Sequence, residues 1–208
     1  MKVIFPNKIP VFPLSGVIYF PKTNLPLNVF EKRYLELVND CMKNNKLMGM
    51  VQLIGDTNKV YRVGCLGKIE ALKKTDDGRI LLNLNGLTRF EIIKEINSDK
   101  LYREFEVNYN KFKNDLELDN NIDEKERQIL FNKSKSFFKK FGLLLNWKEF
   151  EKLQFLEQIN TLAMIAPISN EEKQKLLETI SSTDKVKILS EIIEFYLYDS
   201  SSKKNTIQ

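Results

Sequence analysis

The sequence predicts an α+β fold with its strands first and its helices after. Three observations carry that prediction. The first ~110 residues show period-two or short apolar runs separated by turn signals, the pattern of strands. From residue 121 onward apolar residues recur at helical spacing instead. Between them, 111–121 is polar and acidic with little periodicity. These features predict a strand-rich subdomain at 1–112, a helical bundle at 121–199 and a flexible tail at 200–208.

The chain opens with prolines at 6, 10, 13, 21 and 26. Each removes a ladder donor, so this segment reads as irregular and edge-like. One helix interrupts the strands: Phe30, Tyr34, Val38 and Cys41 form a single apolar stripe from Val29 to about Asn44. Gly64-Cys65-Leu66-Gly67 reads as a strand kink or bulge rather than a phosphate cradle. The clearest hairpin is 68–85, with Asp77-Gly78 at its turn and Ile80, Leu82 and Leu84 alternating along the return strand. Arg89 to Ile93 and Leu101 to Tyr109 read as further strands.

In the helical half, Asn121 with Glu124, Asn146 with Glu149 and Ser169 with Glu172 each set a capping residue three before a carboxylate. Leu130, Ser134, Phe137, Phe141 and Leu145 form one stripe. Phe150, Leu153, Leu156, Ile159, Ala163 and Ala166 form another, ended by Pro167. Leu176, Leu177 and Ile180, then Leu189, Ile192, Ile193 and Tyr196, supply two more.

With 208 residues, the chain can bury about 70% of its unfolded surface and needs no disulfide or metal to fold. Cys41 and Cys65 form no CxxC pair and read as structural thiols of a reducing compartment. Prolines break up any signal-peptide core, and no apolar run approaches the ~20 residues of a membrane span, so a cytoplasmic location is expected. The net charge of +5 reflects lysine spread along the chain. Its densest cluster, KSKSFFKK at 133–140, reads as a solvated helix face with Phe137, Phe138 and Phe141 turned inward.

The sequence speaks against an enzyme. It contains no histidine, which removes the commonest general base and metal ligand. GxxxxGK[ST], GxGxxG and GxSxG motifs are absent. Asp76-Asp77 and Glu171-Glu172 fall in a turn and at a helix start, where carboxylates serve structure. No catalytic residue, metal or cofactor is expected.

Several segments together carry a resemblance: IPVFPLSGVIYFPKTNLPLNVFEKRYLELV (9–38), GMVQL (49–53), VGCLGKIEALKKTDDGRILLNLNGLTRFEI (63–92) and, in the helical half, ISNEEKQKLLETISSTDKVKILSEIIE (168–194). In order and spacing they resemble the N-terminal substrate-binding domain of Lon-type proteases. The chain departs from that pattern at Lys185 and Lys187, one of which stands where an arginine is common. The resemblance implies a PUA-like, six-stranded, partly open β-barrel with one inserted helix, followed by a helical bundle. It also implies the recognition part of such a protease without its ATPase and peptidase modules.

Arginine occurs at only six positions, and Arg33, Arg79 and Arg89 fall inside the resembling motifs. Where lysine is the default, arginine suggests that a planar multi-donor fork matters. These three either tie strands and helix together through carboxylates such as Glu31 and backbone carbonyls, or line a groove that takes a peptide's carbonyls or carboxylates. The apolar segment Phe20, Pro21, Leu25, Pro26 and Leu27 either plugs one end of the barrel or walls such a groove. The function expected is a non-catalytic module that binds unfolded or hydrophobic polypeptide segments as an adaptor or sensor, with a protease or chaperone encoded elsewhere as a further candidate partner. A membrane partner is not expected. RNA binding through the barrel is the alternative, by analogy with PUA-like folds and helped by the positive charge.

Overall fold

The computed structural model describes residues 4–116 and 123–199, and the chain divides into two compact units, Met1–Leu118 and Asp119–Gln208. The expected tail at 200–208 and the expected cap Asn121 lie outside the described residues.

The first unit contains β1 (Lys8–Leu14), β2 (Asn24–Val29), α1 (Lys32–Lys43), β3 (Leu47–Gln52), β4 (Val63–Lys74), β5 (Ile80–Ile96), β6 (Arg103–Asn108) and a 3-10 helix (Asn110–Leu116). The strands form one mixed sheet in the order β2-β5-β4-β3-β1-β6, and β6 also pairs with β5. Only β1 and β3 run parallel; the chain between them passes through β2 and α1, the long crossover a parallel pair requires. β5 is the organising strand. Its first part, 80–85, pairs with β2, and its last part, 91–96, pairs with β6.

The proline-rich opening is more regular than expected. β1 has neighbours on both sides, β6 along Lys8–Val11 and β3 along Val11–Leu14. Pro10 sits where only β6 is paired and Pro13 where only β3 is, so neither missing N–H breaks a ladder on two sides. Pro26 lies in β2, at the end of the strand order. The 68–85 hairpin forms as expected, with Gly78 at φ 84° in its turn. The register of β4 against β5 shifts between Leu66 and Gly67, which is the bulge read from the glycines. Ile9, Val11, Val51, Leu66, Phe90, Ile92, Phe105 and Val107 form one buried core.

α1 begins later than its apolar stripe suggests. Glu31 is extended and serves as the N-cap, so Phe30 stands before the helix and is 63% exposed. The helix buries Tyr34, Leu37, Val38 and Cys41. Cys41 and Cys65 are buried thiols.

The second unit contains α2 (Glu124–Lys140), α3 (Trp147–Glu151), α4 (Phe155–Ile165), α5 (Asn170–Glu178) and α6 (Ser182–Tyr198). Asp123 caps α2, while Asn146 and Ser169 cap α3 and α5 as expected. The stripe from Phe150 to Ala166 belongs to two helices, because Gln154 and Glu157 form a capping box that starts α4 afresh. Buried Gln158 fills the break: its Nε2 donates to the carbonyls of Phe150 (3.0 Å), Leu153 (3.1 Å) and Glu151 (3.3 Å). Leu153 and Ile180 are exposed, while Leu156, Ile159, Ala163, Leu176, Leu177, Leu189 and Ile193 are buried. Lys185 is buried, with Nζ 3.0 Å from Asn160 Oδ1. Among the described residues, no helix is long and apolar enough to cross a membrane.

Candidate functional site

The residues singled out in the sequence separate into buried and exposed groups. Phe20, Pro21 and Leu25 are buried and present no surface to a ligand in this structure. Hydrogen bonds of Lys22 N–H to Gly86 O (2.8 Å) and of Gly86 N–H to Thr23 O (2.9 Å) hold their segment against β5. Gly86 permits that approach, since a β-carbon there would fall 2.3 Å from Phe20 O. Along β2 alternate residues face inward, so Leu27 is half-buried and Pro26 exposed.

Arg89 is also interior. Its guanidinium bonds Asp115 through Nη2 (2.6 Å) and Nε (3.0 Å), and its backbone N–H donates to Asp115 Oδ2 at 2.8 Å. Phe112 packs 4.3 Å from the guanidinium. Arg89 lies on β5 between the residues that pair with β2 and those that pair with β6, so on the edge away from β4 the 3-10 helix supplies a side-chain acceptor where no strand does. Arg89 thus makes a carboxylate tie, one of the two alternatives for the arginines, to a residue the sequence did not single out.

Arg79 and Arg33 remain at the surface. Arg79 Nε is 2.9 Å from Asp77 Oδ2, and its guanidinium lies 5.9 Å from the centre of the exposed Phe30 ring. Leu81, opposite Asn28 in the ladder, is also exposed. Arg33 bonds Glu31 through Nε (3.0 Å) and Nη2 (2.8 Å). It lies 4.5 Å from the Tyr34 ring, which packs in turn on Phe12 at 3.9 Å.

Arg33 and Tyr34 border a cavity of about 390 Å³, walled by Pro13 and Leu53 and closed by Asn58, Glu95 and Arg103. Arg103 is gripped by both Glu95 oxygens at 2.7 Å and donates from Nη1 to Asn58 O at 2.9 Å. The bond from Arg103 holds the Glu95 carboxyl below its ordinary pKa, and Glu95 raises that of Arg103. Burial raises the Tyr34 phenol, against the opposing charge of Arg33. Phe30, Glu95, Asn58 and Arg103 were not among the expected site residues. The sequence signal for Arg103 and Glu95 is their opposite charge eight residues apart across the β5–β6 connection. Among the described residues, no group of three or more acidic or cysteine side chains could hold a metal.

These features define the class first: an α+β domain of the kind seen in solved Lon N-terminal regions. The Lon N-terminal domain protein from Xanthomonas campestris superposes with a TM-score of 0.65 at 22% identity, covering 88% of this chain and 96% of that one. The N-terminal domain of Mycobacterium avium complex Lon protease gives 0.62 at 13% identity, covering 90% and 98%. The chain belongs to the family of ATP-dependent protease La (LON) substrate-binding domains, whose model matches residues 8–194. A Lon protease from Dictyoglomus thermophilum is 26% identical over 189 residues, 87% of this chain but 23% of that protein. One from Buchnera aphidicola is 27% identical over 200 residues, 90% of this chain and 25% of that protein. The chain thus spans about a quarter of the length of these relatives, and its family match is to their substrate-binding domain.

Proposed function

We propose that this chain is a non-catalytic polypeptide-recognition module that binds exposed hydrophobic or unfolded segments, acting in the cytoplasm as an adaptor or sensor. A protease or chaperone encoded elsewhere is the natural recipient of what it binds. Membership of a substrate-binding family supports recognition of polypeptide. The observation that carries the hydrophobic part is the surface at Phe30, 63% exposed beside the Arg79 guanidinium, with Leu81 and Pro26 exposed on the same pair of strands. An exposed aromatic ring flanked by a cation suits an apolar side chain whose backbone carbonyls also need donors.

The RNA alternative loses its best basic cluster. Lys133 pairs with Glu194, Lys135 with Glu151, and Lys140 donates to the carbonyls of Tyr196, Leu197 and Asp199. Lysines engaged in this way offer little to a phosphate backbone.

Fluorescence anisotropy with labelled, amidated hydrophobic peptides tests the reading. Saturable binding is expected, weakened about tenfold by Phe30→Ser through lost apolar contact. No binding by any peptide, or unchanged affinity in that variant, would contradict it.

A further inference from the structure

We infer that the cavity beside α1 receives a carboxylate carried by the bound polypeptide; this rests on the polypeptide reading above and names the chemistry of one subsite. The donors there have capacity left. Arg33 uses Nε and Nη2 on Glu31, and its Nη1 has no partner among the described residues. The side-chain amide of Asn58 likewise has no partner among the described residues, although the backbone carbonyl of Asn58 accepts from Arg103. Arg33 is held in place by its contact with the Tyr34 ring, and Arg103 by both oxygens of Glu95. Arg33 Nη1 and the Asn58 amide are the donors left for a ligand, and a planar acceptor with two oxygens can take a bond from each.

Each arginine already meets a carboxylate, Arg33 with Glu31 and Arg103 with Glu95, so the site is close to neutral and a singly charged ligand adds less repulsion than a doubly charged phosphate. The size also fits, since about 390 Å³ is at the small end of ligand pockets. Phe30 precedes Arg33 by three residues, about 11 Å of extended chain at most. One extended segment can therefore set an apolar side chain on Phe30 and a carboxylate in the cavity.

That carboxylate comes either from an acidic side chain or from a free C-terminus, and four peptides separate the sources. All share one hydrophobic run: one ends in a free carboxylate, one is amidated, one is amidated with a glutamate after the run, and one is amidated with glutamine there. Dissociation constants are measured with the full chain, its Arg33→Gln and Asn58→Ala variants, and thermal melts confirming that both variants fold. At least one carboxylate peptide is expected to bind about tenfold more tightly than its neutral counterpart, the scale of one charge-assisted hydrogen bond. Arg33→Gln should erase that advantage and leave the neutral peptides unchanged. The pair showing the advantage identifies the source. Equal binding of neutral and carboxylate peptides, or an advantage that survives in both variants, overturns the inference while hydrophobic binding stands. If no peptide binds, the polypeptide reading falls and the inference with it.

Discussion

Replacing Asp115 by asparagine keeps the side chain's shape and removes its charge, leaving the Arg89 guanidinium buried beside a neutral amide. The two side chains are only 4% and 6% exposed, so solvent screens neither. Breaking a buried pair from one side costs about 3–5 kcal/mol, because the remaining charge is uncompensated. Asparagine can still accept one hydrogen bond, which favours the lower end. With a urea dependence of about 2 kcal/mol per molar, 3 kcal/mol lowers the unfolding midpoint by ~1.5 M. The assay is equilibrium urea unfolding followed by circular dichroism. The exposed pair of Arg79 and Asp77 provides a control, since Asp77→Asn should leave the midpoint nearly unchanged. The double variant Arg89→Met/Asp115→Asn removes the uncompensated charge while the amide oxygen still accepts from the backbone N–H of residue 89, so it should recover part of the loss. A midpoint shift for Asp115→Asn no larger than the control's would refute the assignment of this pair as the tie between β5 and the 3-10 helix.

Three other outcomes are expected. Gln158→Ala strips three carbonyls of their donor at the α3–α4 break and should cost about 1–3 kcal/mol, read as a lower melting temperature. Acid should destabilise the fold: bonds from Lys100, Lys111 and Arg103 hold the carboxyls of Asp40, Glu91 and Glu95 below their ordinary pKa values. Stability from such groups is present above the unfolded pKa near ~4 and is lost as pH falls through the lower folded values. The urea midpoint should therefore be level from pH 7 to 5 and drop towards pH 3, less steeply in Glu95→Gln; a level midpoint down to pH 3 would count against it. Burial pushes the Cys41 thiol up to about 12, so an aromatic disulfide reagent at pH 8 should label it only after unfolding.

Much of the fold was legible because its signals are local. The Asp77-Gly78 turn, the glycine-marked bulge at 66–67 and the caps Asn146 and Ser169 each depend on a few adjacent residues. What escaped depends on neighbours distant in sequence. Pro10 and Pro13 read as edge residues because nothing local shows that β1 changes partner at Val11. Phe30 fits the apolar stripe of α1 by spacing, yet the extended Glu31 sets it outside the helix. The surroundings of the arginines were legible in type more than in place. The scarcity of arginine pointed to Arg33, Arg79 and Arg89, and all three meet carboxylates, but Asp115 lay in a stretch that reads as featureless. The Phe20–Leu27 segment shows its apolar character in sequence; which of its side chains face inward is decided by pairing with β5.

The most direct test of polypeptide recognition compares a permanently unfolded protein, reduced and carboxymethylated, with its native form as ligands for the purified chain. Size-exclusion chromatography and anisotropy should show a saturable complex with the unfolded form and none with the native form. Retention of neither form, or instead a complex with single-stranded RNA whose affinity collapses between 50 and 200 mM salt as multiple phosphate contacts require, would contradict the account.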